Sequence, residues 1–319
     1  MSLEKNYWKA IAKFTMQTYF SLYSKVHFFC YNSRSFCSKY NSRSTVNKNH
    51  MKKILITGIL AVFISSCSVI SFVPSEKRVA KPEKVAFSQE CTIESTGAVF
   101  MNLAGLKKAD FFPAGFKICY QGKTLYIDPV AVSDTAKADI IFISHVHADH
   151  FSKEDINKLS DENTLIIGPK PVTKKLKDHK TRTVKLHDSF EINSIGCEVV
   201  EAYNIKKGKL NIPLHPKSDK NVGYIISCGS TRIWHAGDTD FIPEMKNLEN
   251  ITLALVPVGE GNTAMSPFDA AEAVNLIKPE TVIPMHYELG HDREIIFQNS
   301  VEKGITVKIL SLKKTDKTD

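Results

Sequence analysis

For the chain after residue 90 the sequence predicts a mixed α/β fold, on three observations. Short, β-rich apolar runs alternate with stretches of helical spacing. One run, Ala138-Asp-Ile-Ile-Phe-Ile-Ser144, reads as a buried strand that empties into a loop crowded with imidazoles. The chain of 319 residues also has room for one α/β unit of roughly 200 to 250 residues behind an N-terminal extension. In order, Ala138 to Ser144 is the first such strand, and Ser152 to Leu159 is a helix with a candidate cap. Leu165 to Gly168, Thr181 to Leu186, Cys197 to Tyr203 and Thr231 to Trp234 are strands, and Pro267 to Ile277 is a capped helix. Periodicity supports no more than mixed α/β.

The chemistry concentrates in Ser144-His145-Val146-His147-Ala148-Asp149-His150. The chain has 11 His and three of them fall here, beside a carboxylate, which is a metal-ligand set rather than a chance cluster. His145 and His147 alternate with Val146, so in extended backbone both imidazoles point to one side and can clasp one ion. Imidazole and carboxylate suit zinc first, and also manganese or iron.

The cluster matches the His-x-His-x-Asp-His signature of the metallo-β-lactamase superfamily, and the chain resembles that superfamily over roughly residues 95–312. Phe116 to Tyr120 and Lys123 to Pro129 look like its opening hairpin and Asp-Pro strand end. Arg232-Ile-Trp-His-Ala-Gly-Asp-Thr239 looks like the strand that presents a bridging aspartate, and Val282-Ile-Pro-Met-His286 like the strand of the last histidine. Gly223-Tyr-Ile-Ile226, Val256-Pro-Val-Gly259, Met265 and Ala270 to Ala273 resemble the branch containing ascorbate-lactone-type and N-acyl-phosphatidylethanolamine phospholipase-type enzymes.

That resemblance implies a four-layer αββα sandwich with two divalent metal ions at one edge of its sheets. It implies His145 and His147 in one site, Asp149, His150 and His286 in the other, and Asp238 bridging them. The family's third histidine of the first site falls where this chain reads Ala202-Tyr203-Asn204, and Asn is a poor zinc ligand. Either that site is weakened or another imidazole serves it; His215, in Ile212-Pro-Leu-His-Pro216, is the expected substitute. Asp149 and His235 are the expected catalytic side chains, Asp149 moving a proton and His235 stabilising developing charge. The activity implied is hydrolysis of an ester, lactone or phosphodiester bond by a metal-bridged hydroxide, on a small-molecule or lipid-like substrate. Fold alone does not choose the substrate. The alternative is a metal-binding or docking lipoprotein without turnover, favoured by Asn204 alone.

The front of the chain reads as processing sequence. Residues 1–50 repeat Asn32-Ser-Arg-Ser35 as Asn41-Ser-Arg-Ser44 without sustained periodicity, as expected of sequence upstream of a true start at Met51. The competing reading makes Ala10 to Phe29 a membrane-surface helix. Residues 51–66 have the basic start and apolar core of a signal peptide, too short for the ~20 residues of a membrane span. Ile64-Ser-Ser-Cys67 resembles a lipobox, so Cys67 is expected to carry a lipid anchor, with a tether over 67–90 and the catalytic domain over 91–319. The expected location is the bacterial cell envelope, on its periplasmic or outer face.

Charge agrees with that division. Residues 1–50 hold eight Lys or Arg against one Glu, and Lys52 and Lys53 add two cations, so the +8 of the whole chain leaves −1 for the rest. The folded part has no basic excess to attract nucleic acid. Beyond Cys67, the cysteines Cys91, Cys119, Cys197 and Cys228 form no CxxC pair, and the last three sit in strand-like runs as expected buried thiols.

Overall fold

The computed structural model describes residues 74–78, 84–87, 91–96, 98–103, 107–133, 135–206, 212–259 and 263–311. These lie in a compact unit of residues 70–319. The leader, the signal peptide and Cys67 lie outside the described residues. Among those residues, no helix is long and apolar enough to cross a membrane.

The chain runs β1 (Pro74–Arg78), β2 (Lys84–Ala86), β3 (Cys91–Ser95), β4 (Ala98–Leu103), β5 (Lys107–Phe111), β6 (Phe116–Tyr120), β7 (Lys123–Ile127) and β8 (Ile140–Phe142). Helix α1 (Lys153–Leu159), β9 (Leu165–Pro169), the single turn α2 (Lys170–Thr173), β10 (Thr181–Val184), β11 (Ser189–Ile192) and β12 (Ile195–Glu201) follow. The second half holds β13 (Val222–Cys228), β14 (Thr231–His235), β15 (Leu253–Pro257), α3 (Pro267–Ile277), β16 (Thr281–Met285), α4 (Arg293–Ser300) and β17 (Thr306–Val307). One sheet has the order β10-β9-β8-β7-β6-β3-β2, the other runs β11 to β17 in sequence order, and β1-β4-β5 form a small third sheet.

Strands covered on both faces are apolar at every covered position, and β7, β8 and β9 show why the run from Ile140 to Ile143 is unbroken. Tyr126, Ile141 and Ile166 point to one side, against Ile156 and Leu159 of α1 and Val172 of α2. Their neighbours Leu125, Ile127, Ile140, Phe142 and Ile167 enter the core shared with the second sheet, where Phe142 meets Tyr224 at 5.3 Å between ring centroids. On the far side α3 packs on β15 and against α4, burying Ala270, Val274 and Phe297. The layers are helix, sheet, sheet, helix, the sandwich the resemblance implied.

Both capped helices begin where their cap residues put them. Ser152 Oγ accepts from Asp155 N at 3.2 Å, and Ser266 forms a reciprocal capping box with Asp269 ahead of Pro267. One expectation needs correcting. The stretch read as a tether, 67–90, contains β1 and β2, and β2 pairs antiparallel with β3 through Val85 opposite Ile93. Val85 is buried among the core residues, so a short apolar alternation flanked by lysines was enough to add an edge strand.

Candidate metal centre

Strands from both sheets end at one rim. In the first sheet β8, parallel to β7 and β9, leads into His145; in the second, β14 and β16, both parallel to β15, lead into Asp238 and His286. Beyond β12, Asn204 N donates to His215 O at 2.8 Å, which holds His215 at the same rim. A turn in which His150 N and Phe151 N both donate to His147 O, at 3.0 and 2.8 Å, presents Asp149 and His150.

Two ligand sets result. Each of His145, His147, His215 and Asp238 offers a nitrogen or carboxylate oxygen within 4.8 Å of the others, and so does each of Asp149, His150, Asp238 and His286. In the first set His147 Nδ1 lies 2.9 Å from His215 Nε2, which is 3.5 Å from Asp238 Oδ2, with His145 Nε2 4.0 Å from that oxygen. In the second, His150 Nε2 lies 3.1 Å from Asp238 Oδ1, and His286 Nε2 lies 3.0 Å from Asp149 Oδ2 and 3.4 Å from Asp238 Oδ2. Ligands about 2.0–2.1 Å from a tetrahedral zinc stand roughly 3.3 Å apart, so these spacings fit a cation in each set. The seven residues expected from the sequence are thus together, and Asp238 is shared by both sets.

Buried donor and acceptor atoms normally find partners, yet His145 Nε2 has none, and His150 Nε2 and Asp238 Oδ1 face only each other, at 3.1 Å. Each belongs to a ligand set, where a bound cation would give these atoms what the protein does not. The donor set of imidazole and carboxylate suits zinc, manganese or iron alike.

The imidazoles are aimed from behind by Asp128, the aspartate of the Asp-Pro strand end. Asp128, fully buried at the end of β7, accepts from Ser144 N at 2.7 Å and Ser144 Oγ at 2.6 Å, and its Oδ2 is 2.7 Å from His150 Nδ1. A carboxylate only accepts, so Nδ1 of His150 carries a proton, and in the neutral ring that a cation would need Nε2 presents its lone pair to the site. Ser144 Oγ donates its one hydrogen to Asp128 Oδ2, and therefore accepts from His145 Nδ1 at 2.9 Å. One carboxylate sets the tautomers of two ligands. The Asp128-Pro129 dipeptide at a strand end was the visible signal; nothing local told that its carboxylate turns inward. Asp128 and His286 both have left-handed backbone, φ 45° and 55°, a strained state at the points where strands become ligand loops.

Electrostatics divides the histidines. Burial, reinforced by His150, His147 and His215, holds His145 well below the ordinary histidine value, and burial takes His215 down to about 4. His150 and His286 go the other way, because nearby Asp238 and Asp149 outweigh their burial. Burial would raise Asp149 and Asp238, but His150 and His286 beside them hold both carboxyls below the usual range.

His235 corrects an expectation. It is fully buried, its Nε2 donates to Ala114 O at 2.8 Å and its Nδ1 accepts from Gly237 N at 3.2 Å. With both ring nitrogens engaged it cannot stabilise charge on a substrate; it ties β14 to the segment ahead of β6. Gly237 follows with φ 63°, and a Cβ there would meet Val222 O at 3.0 Å, so this turn into Asp238 requires glycine. His291 lies 3.1 Å from Glu288, His187 3.3 Å from Glu201 and His179 2.9 Å from Asn157, none of them with the ligand sets. Cys91, Cys197 and Cys228 are buried thiols and Cys119 is half-buried, outside both ligand sets.

Comparison with known proteins gives a consistent picture. The family described as the beta-lactamase superfamily domain matches residues 113–286, ending on the last candidate ligand. A UPF0173 protein of Pyrococcus abyssi is 36% identical over 180 residues, covering 54% of this chain and 80% of that protein. A UPF0173 metal-dependent hydrolase of Pelotomaculum thermopropionicum is 29% identical over 221 residues, 62% of this chain and 93% of the relative. A crystal structure of a candidate metal-dependent hydrolase from Parabacteroides distasonis superposes with a TM-score of 0.58 at 27% identity, over 73% of this chain and all 100% of the other. A metallo hydrolase of Ignicoccus hospitalis shares the fold, with a TM-score of 0.51 at 21% identity over 65% of this chain and 94% of its own.

Proposed function

The chain belongs to the metallo-β-lactamase superfamily and to its UPF0173 metal-dependent hydrolase family, and from that premise we propose that it hydrolyses an ester, lactone or phosphodiester bond using two divalent cations, zinc first among them. The observation that carries this reading is the pair of ligand sets sharing Asp238, each lined by buried atoms without a protein partner. Such cations, when bound, acidify a water to near neutrality and polarise the oxygen under attack.

The chain's own groups do the rest. Asp149 touches His286 through Oδ2 and keeps Oδ1 without a partner, so it is the carboxylate available to take the proton of the attacking water and return it to the leaving oxygen. Asp128 and Ser144 hold His145 and His150 in place, so the ligands need not reorganise as charge develops. Beside the ligand loop, Ile205, Ile212 and Leu214 are 53%, 63% and 39% exposed, an apolar fringe next to Asn204 and His215. That fringe supports a lipid-like or otherwise apolar-armed substrate, as does the likeness to lactonase- and phospholipase-type enzymes. An exported, lipid-anchored chain would meet such substrates at a membrane.

The experiment is elemental analysis of the purified chain and of His215→Ala, followed by turnover of a series of esters, lactones and phosphodiesters with increasing acyl length. About two equivalents of metal, turnover that rises with acyl length, and loss of both metal and activity in His215→Ala are expected. Unchanged metal content and turnover in that variant would refute the assignment of His215, and metal without any turnover would favour a docking role.

A further inference from the structure

We propose that Asn204 and Asp240 act as a positioning pair that fixes the ring and tautomer of His215, making it a competent ligand. The proposal rests on the reading of His145, His147, His215 and Asp238 as one cation site. Asn204 and Asp240 are 3% and 1% exposed, so neither exchanges its partners for water.

The hydrogen bonds leave one arrangement. Asp240 Oδ2 accepts from Ile205 N at 2.8 Å and Lys206 N at 2.7 Å, while Asp240 N donates to Tyr203 O at 3.0 Å, which pins the carboxylate under the loop. Its Oδ1 accepts from Asn204 Nδ2 at 3.2 Å, and Thr263 O accepts from the same Nδ2 at 3.3 Å. Both partners can only accept, so the amide nitrogen must face them and the amide oxygen must face the other way. There Asn204 Oδ1 accepts from His215 N at 3.1 Å and lies 2.7 Å from His215 Nδ1. Nδ1 therefore carries the proton, and the lone pair of Nε2 faces His147 Nδ1 and Asp238 Oδ2. An Asn amide does not titrate, so it imposes this tautomer at any working pH, as the oxygen partner behind a metal-ligating histidine commonly does. Asp240 stands two residues beyond Asp238, so one short segment supplies both a shared ligand and the orienter of another.

The test uses the full chain and zinc. Asn204→Leu removes the acceptor while keeping much of the volume, and Asp240→Asn sets an amide nitrogen against the Asn204 amide nitrogen, turning it over. Competition with a chromogenic chelator reads each zinc equivalent, and ¹⁵N imidazole shifts of the metal-free protein read the His215 tautomer. In the wild type His215 is expected in the Nδ1–H form. In both variants one zinc equivalent is expected to weaken by about 10- to 100-fold, with the other unchanged, a selectivity that general loosening of the fold would not give. His215 protonated on Nε2 in the wild type, or both variants binding zinc as the wild type does, would overturn the pair. Weakening in Asn204→Leu but not in Asp240→Asn would overturn the part assigned to Asp240. A wild type that takes up no zinc would instead refute the cation site itself, so the two failures are distinguishable.

Discussion

Replacing Asp128 by Asn changes one oxygen to nitrogen with almost no change of shape, and the contacts around it say which ligand is lost. The amide can keep its oxygen on Ser144 N, now 2.7 Å from the carboxylate, and Ser144 Oγ can rotate to accept instead of donating. His150 Nδ1, 2.7 Å away, has no such freedom: its proton would meet an N–H, and the ring must move that proton to Nε2, into the second ligand set. Losing one charge-assisted hydrogen bond costs about 1.5–3 kcal/mol of stability. At about 2–4 °C per kcal/mol for a domain of this size, the metal-free melting temperature should fall by roughly 3 to 12 °C. Metal affinity at the site served by His150 should fall about 10- to 100-fold, the usual cost of removing the partner behind a ligating histidine. Thermal melting of the metal-free chain and chelator competition measure the two effects separately. A variant that melts lower yet binds two cations with wild-type affinity would refute the argument that Asp128 sets the His150 tautomer.

Gly237→Ala should cost about 1–2 kcal/mol for the left-handed backbone, with more from a Cβ held 3.0 Å from Val222 O, and should lower bound metal because Asp238 follows; melting and elemental analysis check both. For His235→Gln, lower stability with largely retained turnover is expected below the melting temperature, since both ring nitrogens serve the scaffold. Burial lowers the His235 pKa, so as pH falls below the unfolded value of about 6.5 the unfolded chain takes up a proton that the folded one refuses, and stability drops with acid. His235→Gln should therefore flatten that loss between pH 7.5 and 5.5 in denaturant titrations, and an unchanged slope would contradict it. Burial pushes the Cys197 thiol up to about 12, so iodoacetamide at pH 8 should label half-buried Cys119 first and reach Cys197 only on unfolding, by peptide mapping.

The sequence alone determined what repeats locally or clusters. The unbroken apolar run before His145 identified a strand covered on both faces, the Ser152 and Ser266 caps fixed where α1 and α3 begin, and the imidazole cluster declared a metal site before any fold was known. Even Asn204 was legible as a departure, with His215 as the candidate substitute, because both lie in one short stretch of chain. The tertiary structure decided what depends on atoms distant in sequence. Asp128 and Ser144 meet across 16 positions, His235 and Ala114 across 121, and Asn204 and Asp240 across 36. Hydrogen bonds of that kind obey no sequence period, since they form wherever two sheets bring buried donors and acceptors within about 3 Å. That is why His235, three positions before the candidate ligand Asp238, proved to be scaffold, whereas Asp128, far from it, aims two candidate ligands.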